Sequence, residues 1–371
     1  MYQVLFLYLK AFSMTGGIEK FNRSFLKALH ELSVEGHINA RAISPYESTS
    51  DARYWPAGRL LNGFGNKILF ALKTIWVSRK CEVLVLGHIH LMPVARLVRL
   101  FRPRIRVVLI VHGIEVWRTY TRSERAMLLK CHAIWSVSEY TRGRMRQSFP
   151  DLIQVPMGIF PNTIDPYFSI PADFSGREWL RHRYGIPDGA KVILTITRIL
   201  TSEKYKGYDV ILRALAMESS PRDLFYVLGG KSEQRERERI EALAASLGVR
   251  DRLILTGFIA DEEIGDHYRM ADVFVMPSKK EGFGIVFIEA LACGVPVIAG
   301  DQDGSKEAVL NGDLGLLVNP DSAPHVLAAI QQQLSTKPKA PEELHDRVMD
   351  KFGFERFKRR LLHNLSSQVR S

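Results

Sequence analysis

Two consecutive doubly wound α/β units are the fold class this sequence predicts, on three observations. Its 371 residues exceed what one hydrophobic core usually serves and suit two domains of ordinary size. Short apolar runs alternate with helix-length stretches along most of the chain, the pattern of parallel sheets covered on both faces. A three-proline segment, Val155–Phe168 (VPMGIFPNTIDPYF), interrupts the alternation once before it resumes.

Taken in order, apolar runs at 2–9, 83–86, 106–111 and 133–137 are bounded by polar or turn residues, and each predicts a strand. The proline-containing segment predicts the exit from the first domain. Beyond it, Val192–Thr197, Leu224–Leu228, Leu253–Thr256, Val273–Met276 and Val295–Ala299 read as strands. Helices are expected from near Tyr208, Glu233, Asp261, Gly284 and Ser322, and the chain after Pro341 reads as helical almost to its end. The expected division is a first domain over 1–165, a linker over 166–188 and a second domain over 189–345. A terminal helix over 346–371 is expected to pack back toward the first domain.

A composition of 46% hydrophobic and 25% charged residues is that of a folded globular protein. No apolar run reaches the roughly 18–20 residues a membrane-spanning helix needs. The strand-like run begins at Tyr2 and leaves no room for a signal peptide, so a cytoplasmic location is expected. Cys81, Cys131 and Cys293 are odd in number and set in apolar surroundings, which points to buried thiols rather than disulfides or a metal site. Charge is uneven: residues 1–170 hold 23 basic and 11 acidic residues, against 28 and 29 in 171–371. The whole excess of +11 therefore lies in the first half, densest around Arg96–Arg106 and Arg142–Arg146. A solvated basic surface is one explanation, and a face for anionic lipid or a lipid-diphosphate acceptor is another. No nucleic-acid-binding motif accompanies the charge, so nucleic acid is not an expected partner. Within the basic half, Leu91–Arg106 (LMPVARLVRLFRPRIR) has the composition of an interfacial amphipathic helix, which Pro103 should end.

Ligands of doubly wound sheets bind at the carboxyl ends of the strands, where helix N-termini present free amides. The most informative stretch for such a site is Ser278–Pro296 (SKKEGFGIVFIEALACGVP). Gly282 and Gly284 free the backbone just before a helix, and the amides near Phe283, Ile285 and Val286 would suit a diphosphate. That helix is apolar almost all round, which buries Glu289 in its middle. A buried carboxylate needs hydrogen-bond donors, and a sugar diol supplies two. His112 follows the apolar run Val107–Val111 and should sit at a strand end. Glu115 lies three residues further on, and His88, in Gly87-His88-Ile89-His90, follows another strand. Asp301-Gln302-Asp303 has a DxD pattern, but its position after a late strand does not favour a metal, and none is expected.

The segment Glu281-x7-Glu289 with Gly282-Phe283-Gly284 between resembles the EX7E signature of the retaining family 4 glycosyltransferases, which have the GT-B fold of two Rossmann-like doubly wound domains facing a central cleft. Further matches run in the family's order along nearly the whole chain. Gly16-Gly17-Ile18-Glu19 resembles its first glycine loop, His112-Gly113 its acceptor-side histidine and Pro161-Asn162-Thr163-Ile164-Asp165 its linker motif. Arg198 through Lys206-Gly207 resembles the phosphate-binding pair, and Ala292-Cys293-Gly294-Val295-Pro296-Val297 the strand after the EX7E helix.

The resemblance implies that a hexosyl unit moves from a nucleotide-diphosphate sugar to a glycan or lipid-linked acceptor, in surface polysaccharide or glycolipid synthesis. It implies that Glu281 contacts hydroxyls of the donor sugar and Glu289 holds the ribose. Arg198 and Lys206 would neutralise the leaving diphosphate, and Gly16 and Gly17 would let the first domain's backbone approach it. Three extra residues separate Arg198 from the Lys-Gly pair relative to the commonest pattern, which leaves Lys204 as a competitor for Lys206. Main chain around Phe258–Ile259 would grip the base, so the donor stays open between GDP-mannose and a UDP-sugar. His112 would touch acceptor or donor sugar, with Glu115 and His88 as further acceptor-side candidates. Neither cofactor nor metal is implied, and the oligomeric state is not legible. A hydrolysing epimerase or a catalytically silent membrane-binding scaffold of the same fold are the competing readings; acceptor-independent donor consumption would mark the first, and no consumption the second.

Overall fold

In the computed structural model, which describes residues 2–47, 49–56, 60–63, 65–336 and 340–370, the chain divides into two units, Met1–Pro166 with Phe352–Ser371, and Tyr167–Lys351. The first unit runs β1 (Tyr2–Leu7), α1 (Gly17–Val34), β2 (Ile38–Ser44), β3 (Leu60–Asn62), α2 (Lys67–Ser78), β4 (Val83–Leu86), α3 (Met92–Phe101), β5 (Arg106–Val111), α4 (Arg122–Leu128), β6 (Ala133–Ser136), α5 (Glu139–Ser148) and β7 (Met157–Ile159). Among the described residues these strands form one parallel sheet in the order β3-β2-β1-β4-β5-β6-β7. The central strands are apolar on both faces and buried throughout, as in Val83–Leu86 and Val107–Val111.

Helix ends here are fixed by local chemistry. Asn66 accepts from the Ile68 and Leu69 amides to start α2, Thr121 and Glu124 form a reciprocal capping box on α4, and Ser138 caps α5. One core joins Phe70 and Val77 of α2, Met92, Ala95 and Val98 of α3, Leu128 of α4 and Met145 of α5 to the sheet.

The second unit runs α6 (Glu178–Arg183), β8 (Lys191–Ile196), α7 (Tyr208–Leu215), β9 (Leu224–Gly229), α8 (Gln234–Ser246), β10 (Leu253–Gly257), α9 (Ile264–Met270), β11 (Val273–Met276), α10 (Ile285–Ala292), β12 (Val297–Gly300), α11 (Ser305–Ala308), β13 (Gly315–Val318), α12 (Ala323–Ser335) and α13 (Pro341–Phe352). Its parallel sheet has the order β10-β9-β8-β11-β12-β13. The stretch 166–188 is more than a bare connector. It carries α6, whose Leu180 is buried and whose Arg181 donates to Met270 O and Asp272.

The last helix, α14 (Phe354–Arg370), belongs to the first unit. Phe357 packs edge-on with Phe21 and Phe25 of α1 and with Phe160, and Lys358 donates to Glu31 and Glu35. All three cysteines are free and buried.

Candidate functional site

In the second unit chain order reverses beside β8, which has β9 on one side and β11 on the other. Loops leaving the carboxyl ends of β8 and β11 are therefore neighbours, the place where doubly wound sheets take ligands. Main chain locks the two loops together. The Lys279 amide donates to Tyr205 O at 3.0 Å. Gly207 adopts φ +87°, and a Cβ there would lie 2.3 Å from Pro277 O; only glycine fits both the angle and the approach. Lys206 and Glu281 consequently meet in an ion pair across 75 residues of sequence. Burial works against the Lys206 ammonium, but the adjacent Glu281 carboxylate outweighs it and raises the lysine above its ordinary value.

Arg198, also beyond β8, is half exposed and donates to Glu203 at 2.5 Å. Lys204 lies 4.0 Å from Glu236 of α8, so it is Lys206 that stands at the Glu281 loop.

The Glu281 loop is held by a residue that its DxD setting disguises. Asp303 is fully buried and accepts from Ser278 Oγ at 2.7 Å, the Glu281 amide at 2.7 Å, and the Ser305 amide and hydroxyl. Burial pushes its carboxyl up to about 6. Gly304 lets the chain close here, because a Cβ would meet Gly282 O at 2.2 Å. Gly284 then begins α10 at φ +87°, with Phe283 and Ile285 buried and Val286 partly exposed. No side chain caps this helix end, so its first-turn amides and dipole add to the positive potential of Lys206 and Arg198. Glu289 is buried in α10 and accepts from the Tyr268 hydroxyl at 3.2 Å. Burial, and then the Glu289 charge, hold that phenol well above its usual range. Ile259 is buried beyond β10 while Phe258 is exposed.

In the first unit the order reverses between β1 and β4. Gly16 and Gly17 open α1 after β1, and a Cβ on Gly17 would meet nothing within 4 Å. Protein packing therefore does not demand that glycine. Glu47, buried beyond β2, accepts from the Ala11 and Phe12 amides at 2.6 and 2.8 Å and fixes the loop leading to it. His112, at the end of β5, bonds Gly87 O through Nε2 at 3.0 Å and packs edge-on against Phe21. A carbonyl only accepts, so Nε2 carries the proton and Nδ1 is the acceptor of the neutral ring. Burial lowers the His112 pKa and holds that neutral form. Glu115 accepts from the His112 amide at 2.5 Å, which assigns it a backbone-capping contact. His88 is buried, accepts from the His90 amide through Nδ1, and is driven down to about 3 by burial.

Sequence reasoning did not single out Glu47, Tyr268, Ser278 or Asp303 as positioning residues. Their signal is three-dimensional, because each acts through loops brought together by strand order. Among the described residues no group of three His, Cys, Asp or Glu side chains is arranged to hold a metal ion.

Two family models match. Residues 15–168 match Glycosyltransferase Family 4, and residues 176–348 match Glycosyl transferases group 1. A GDP-mannose-dependent alpha-(1-6)-phosphatidylinositol monomannoside mannosyltransferase of Mycolicibacterium smegmatis is 30% identical over 71% of this chain and 68% of its own length. A D-inositol 3-phosphate glycosyltransferase of Xylanimonas cellulosilytica is 39% identical over 44% of this chain and 38% of its own. Among solved structures, sucrose-phosphate synthase from Thermosynechococcus elongatus superposes with a TM-score of 0.76 at 20% identity, over 100% of this chain and 99% of that one.

Proposed function

The chain belongs to glycosyltransferase family 4 and has the GT-B fold, and from that premise we propose that it is a retaining hexosyltransferase acting on a glycan or lipid-linked acceptor. The observation that carries the reading is the Lys206–Glu281 pair beside the uncapped start of α10. A diphosphate arriving there competes with Glu281 for the Lys206 ammonium and is met by Arg198 and the α10 amides. Glu281, released from its partner, accepts hydroxyls of the donor sugar, while Glu289 holds the ribose.

In the reaction the anomeric C–O bond to the diphosphate breaks, and the acceptor oxygen bonds the same carbon on the same face. Its proton passes to the departing diphosphate oxygen. Negative charge grows on the diphosphate as the bond breaks, so Arg198 and Lys206 stabilise the transition state more than the ground state. Gly16 and Gly17 let backbone approach the diphosphate, main chain at Ile259 contacts the base, and Nδ1 of His112 accepts a sugar hydroxyl. Glu115 and His88 shape the acceptor side. These groups supply the positive charge themselves, and no divalent cation is required.

GDP-mannose is the donor named for the mannosyltransferase relative, and with the basic first unit it favours a mannosyl transfer to a lipid-linked acceptor in glycolipid or surface-polysaccharide synthesis. The protein works at the cytoplasmic face of the membrane, docked reversibly on anionic lipid; among the described residues no helix is long and apolar enough to cross a membrane. The test measures consumption of GDP-mannose and of UDP-sugars with and without a lipid-linked mannoside. Acceptor-dependent consumption is expected. Conversion of the donor without acceptor would identify an epimerase instead, and no consumption in any arm would identify a silent scaffold.

A further inference from the structure

We propose that the α2–α3–α4 face of the first unit is the surface that seats on an anionic bilayer, and that the groove between α3 and α4 takes an acyl chain of one anionic phospholipid. The proposal rests on the membrane reading above but uses none of the donor or acceptor residues.

Three observations converge on this face. Ile68, Leu72 and Trp76 recur every four residues on α2 and so share one side of that helix. Leu97, Leu100 and Phe101 stand out from α3, which packs beside α2. All six are between 41 and 73% exposed. An ordinary surface scatters such side chains singly, whereas these are gathered on two adjoining helices.

Charge is the second observation. Stretches 67–80 and 92–106 hold nine basic residues, from Lys67 to Arg106, and no acidic one. Exposed apolar side chains on helices whose only charged residues are cationic match a bilayer with anionic headgroups better than a protein partner, which would have to supply a large acidic surface.

A groove is the third. Between α3 and α4 lies a space of about 630 Å³ with an apolar lining that includes Leu86, Met92, Val107 and Met127. That volume is in the range of small-ligand sites. Its polar lining includes Arg96, Arg99, Arg122 and Lys130, and no carboxylate lines it. Arg99 donates to Lys130 O and ties α3 to the segment after α4. An apolar channel with cations and no anion is complementary to an acyl chain ending in a phosphate. Arg96, Arg99 and Leu100 of α3 contribute to it, so the same helix that meets the membrane lines the groove.

The test is flotation with vesicles of phosphatidylcholine alone or with added phosphatidylglycerol, using the full chain. Wild type should bind only the anionic vesicles at low salt and leave them at high salt. Ile68→Ser/Leu72→Ser/Trp76→Ser and Arg96→Ser/Arg122→Ser/Lys130→Ser should each weaken binding at least tenfold. All six positions are exposed or line the open groove, and unchanged melting curves verify folding. Vesicles with brominated acyl chains should quench wild-type fluorescence, and Trp76→Phe should remove that quenching. Ala126→Trp, which fills the groove, should reduce binding while the α2 stripe stays intact. Wild-type binding with unaffected variants would overturn this face and leave membrane attachment standing. No wild-type binding, or a dimer dissolved by the α2 variant in place of vesicle binding, would overturn it as well. Neither result touches the transfer reading, which the acceptor-dependence assay decides separately.

Discussion

The Lys206 side chain is only partly exposed, and the adjacent Glu281 carboxylate raises its ammonium above the ordinary lysine value, so it is a cation at neutral pH. Lys206→Ala should therefore lower kcat by roughly 10²–10³ with a smaller change in donor KM, since it removes charge needed most as the diphosphate departs. Glu289→Gln should do the reverse, raising donor KM with kcat near wild type, because a ribose contact is alike in ground and transition states. Steady-state kinetics with melting curves as a folding control check both. An unchanged kcat in Lys206→Ala would contradict the assignment. The histidines make a separate prediction about pH. Unfolded histidine takes up a proton near 6.5, whereas burial delays His88 until about 3. The unfolded chain then binds more protons in that window, so His88 contributes stability above pH 6.5 that is lost as pH falls toward 3. Asp303 acts in the opposite sense: its folded carboxyl, at about 6 against an ordinary 3.8, takes up its proton first as pH falls. His88→Gln should accordingly flatten the decline of Tm between pH 6.5 and 4, and an unchanged slope would contradict the neutral buried ring.

At the scale of elements, α10 depends on how it begins. Gly284 sits at φ +87°, and a Cβ there would lie 2.6 Å from the Phe287 ring. Gly284→Ala should destabilise the protein by about 1–3 kcal/mol and weaken donor binding, through backbone strain and a displaced helix start. Gly143, within α5, has nothing within 4 Å of its Cβ position and an ordinary helical φ. Gly143→Ala should be neutral or slightly stabilising. Thermal melting of the two variants separates them, and equal shifts would refute the argument. This element was largely legible in the sequence, because the apolar run Ile285–Ala292 and the two glycines before it announce a buried helix with a free N-terminus. Strands β4, β5, β9 and β11 were legible for the same reason, being short continuous apolar runs. Strand β2 was not, since Asn39 and Arg41 interrupt INARAIS. Strands β3, β7 and β13 were missed because each lies at a sheet edge and is only three or four residues long. The Lys206–Glu281 pair was legible only as two separate motifs; strand order and the fit of Gly207 against Pro277 bring them together. The DxD pattern around Asp303 does not favour a metal because of its place after a late strand, and its positioning role is not legible because sequence does not show four donors converging on a buried carboxylate.

At the scale of the molecule, the two units divide the chemistry as they divide the charge. The second unit, Tyr167–Lys351, is net acidic, with 23 basic and 28 acidic residues, and concentrates its positive potential locally at Arg198, Lys206 and α10. The first carries the excess of basic residues, spread over a surface, which suits attraction to an anionic membrane rather than recognition of one small ligand. The two family models follow the same division, 15–168 and 176–348. What joins the parts is the claim that a sugar leaves the diphosphate and is received on the same face, with its leaving group held by Lys206 and Arg198. Proton NMR of the first product formed from GDP-mannose and a lipid-linked mannoside, in buffer containing EDTA, tests that claim most directly. The donor carries its mannose in the α configuration, so the account predicts an α-linked product formed at full rate. A β-linked product, or activity abolished by EDTA and restored by manganese, would contradict it.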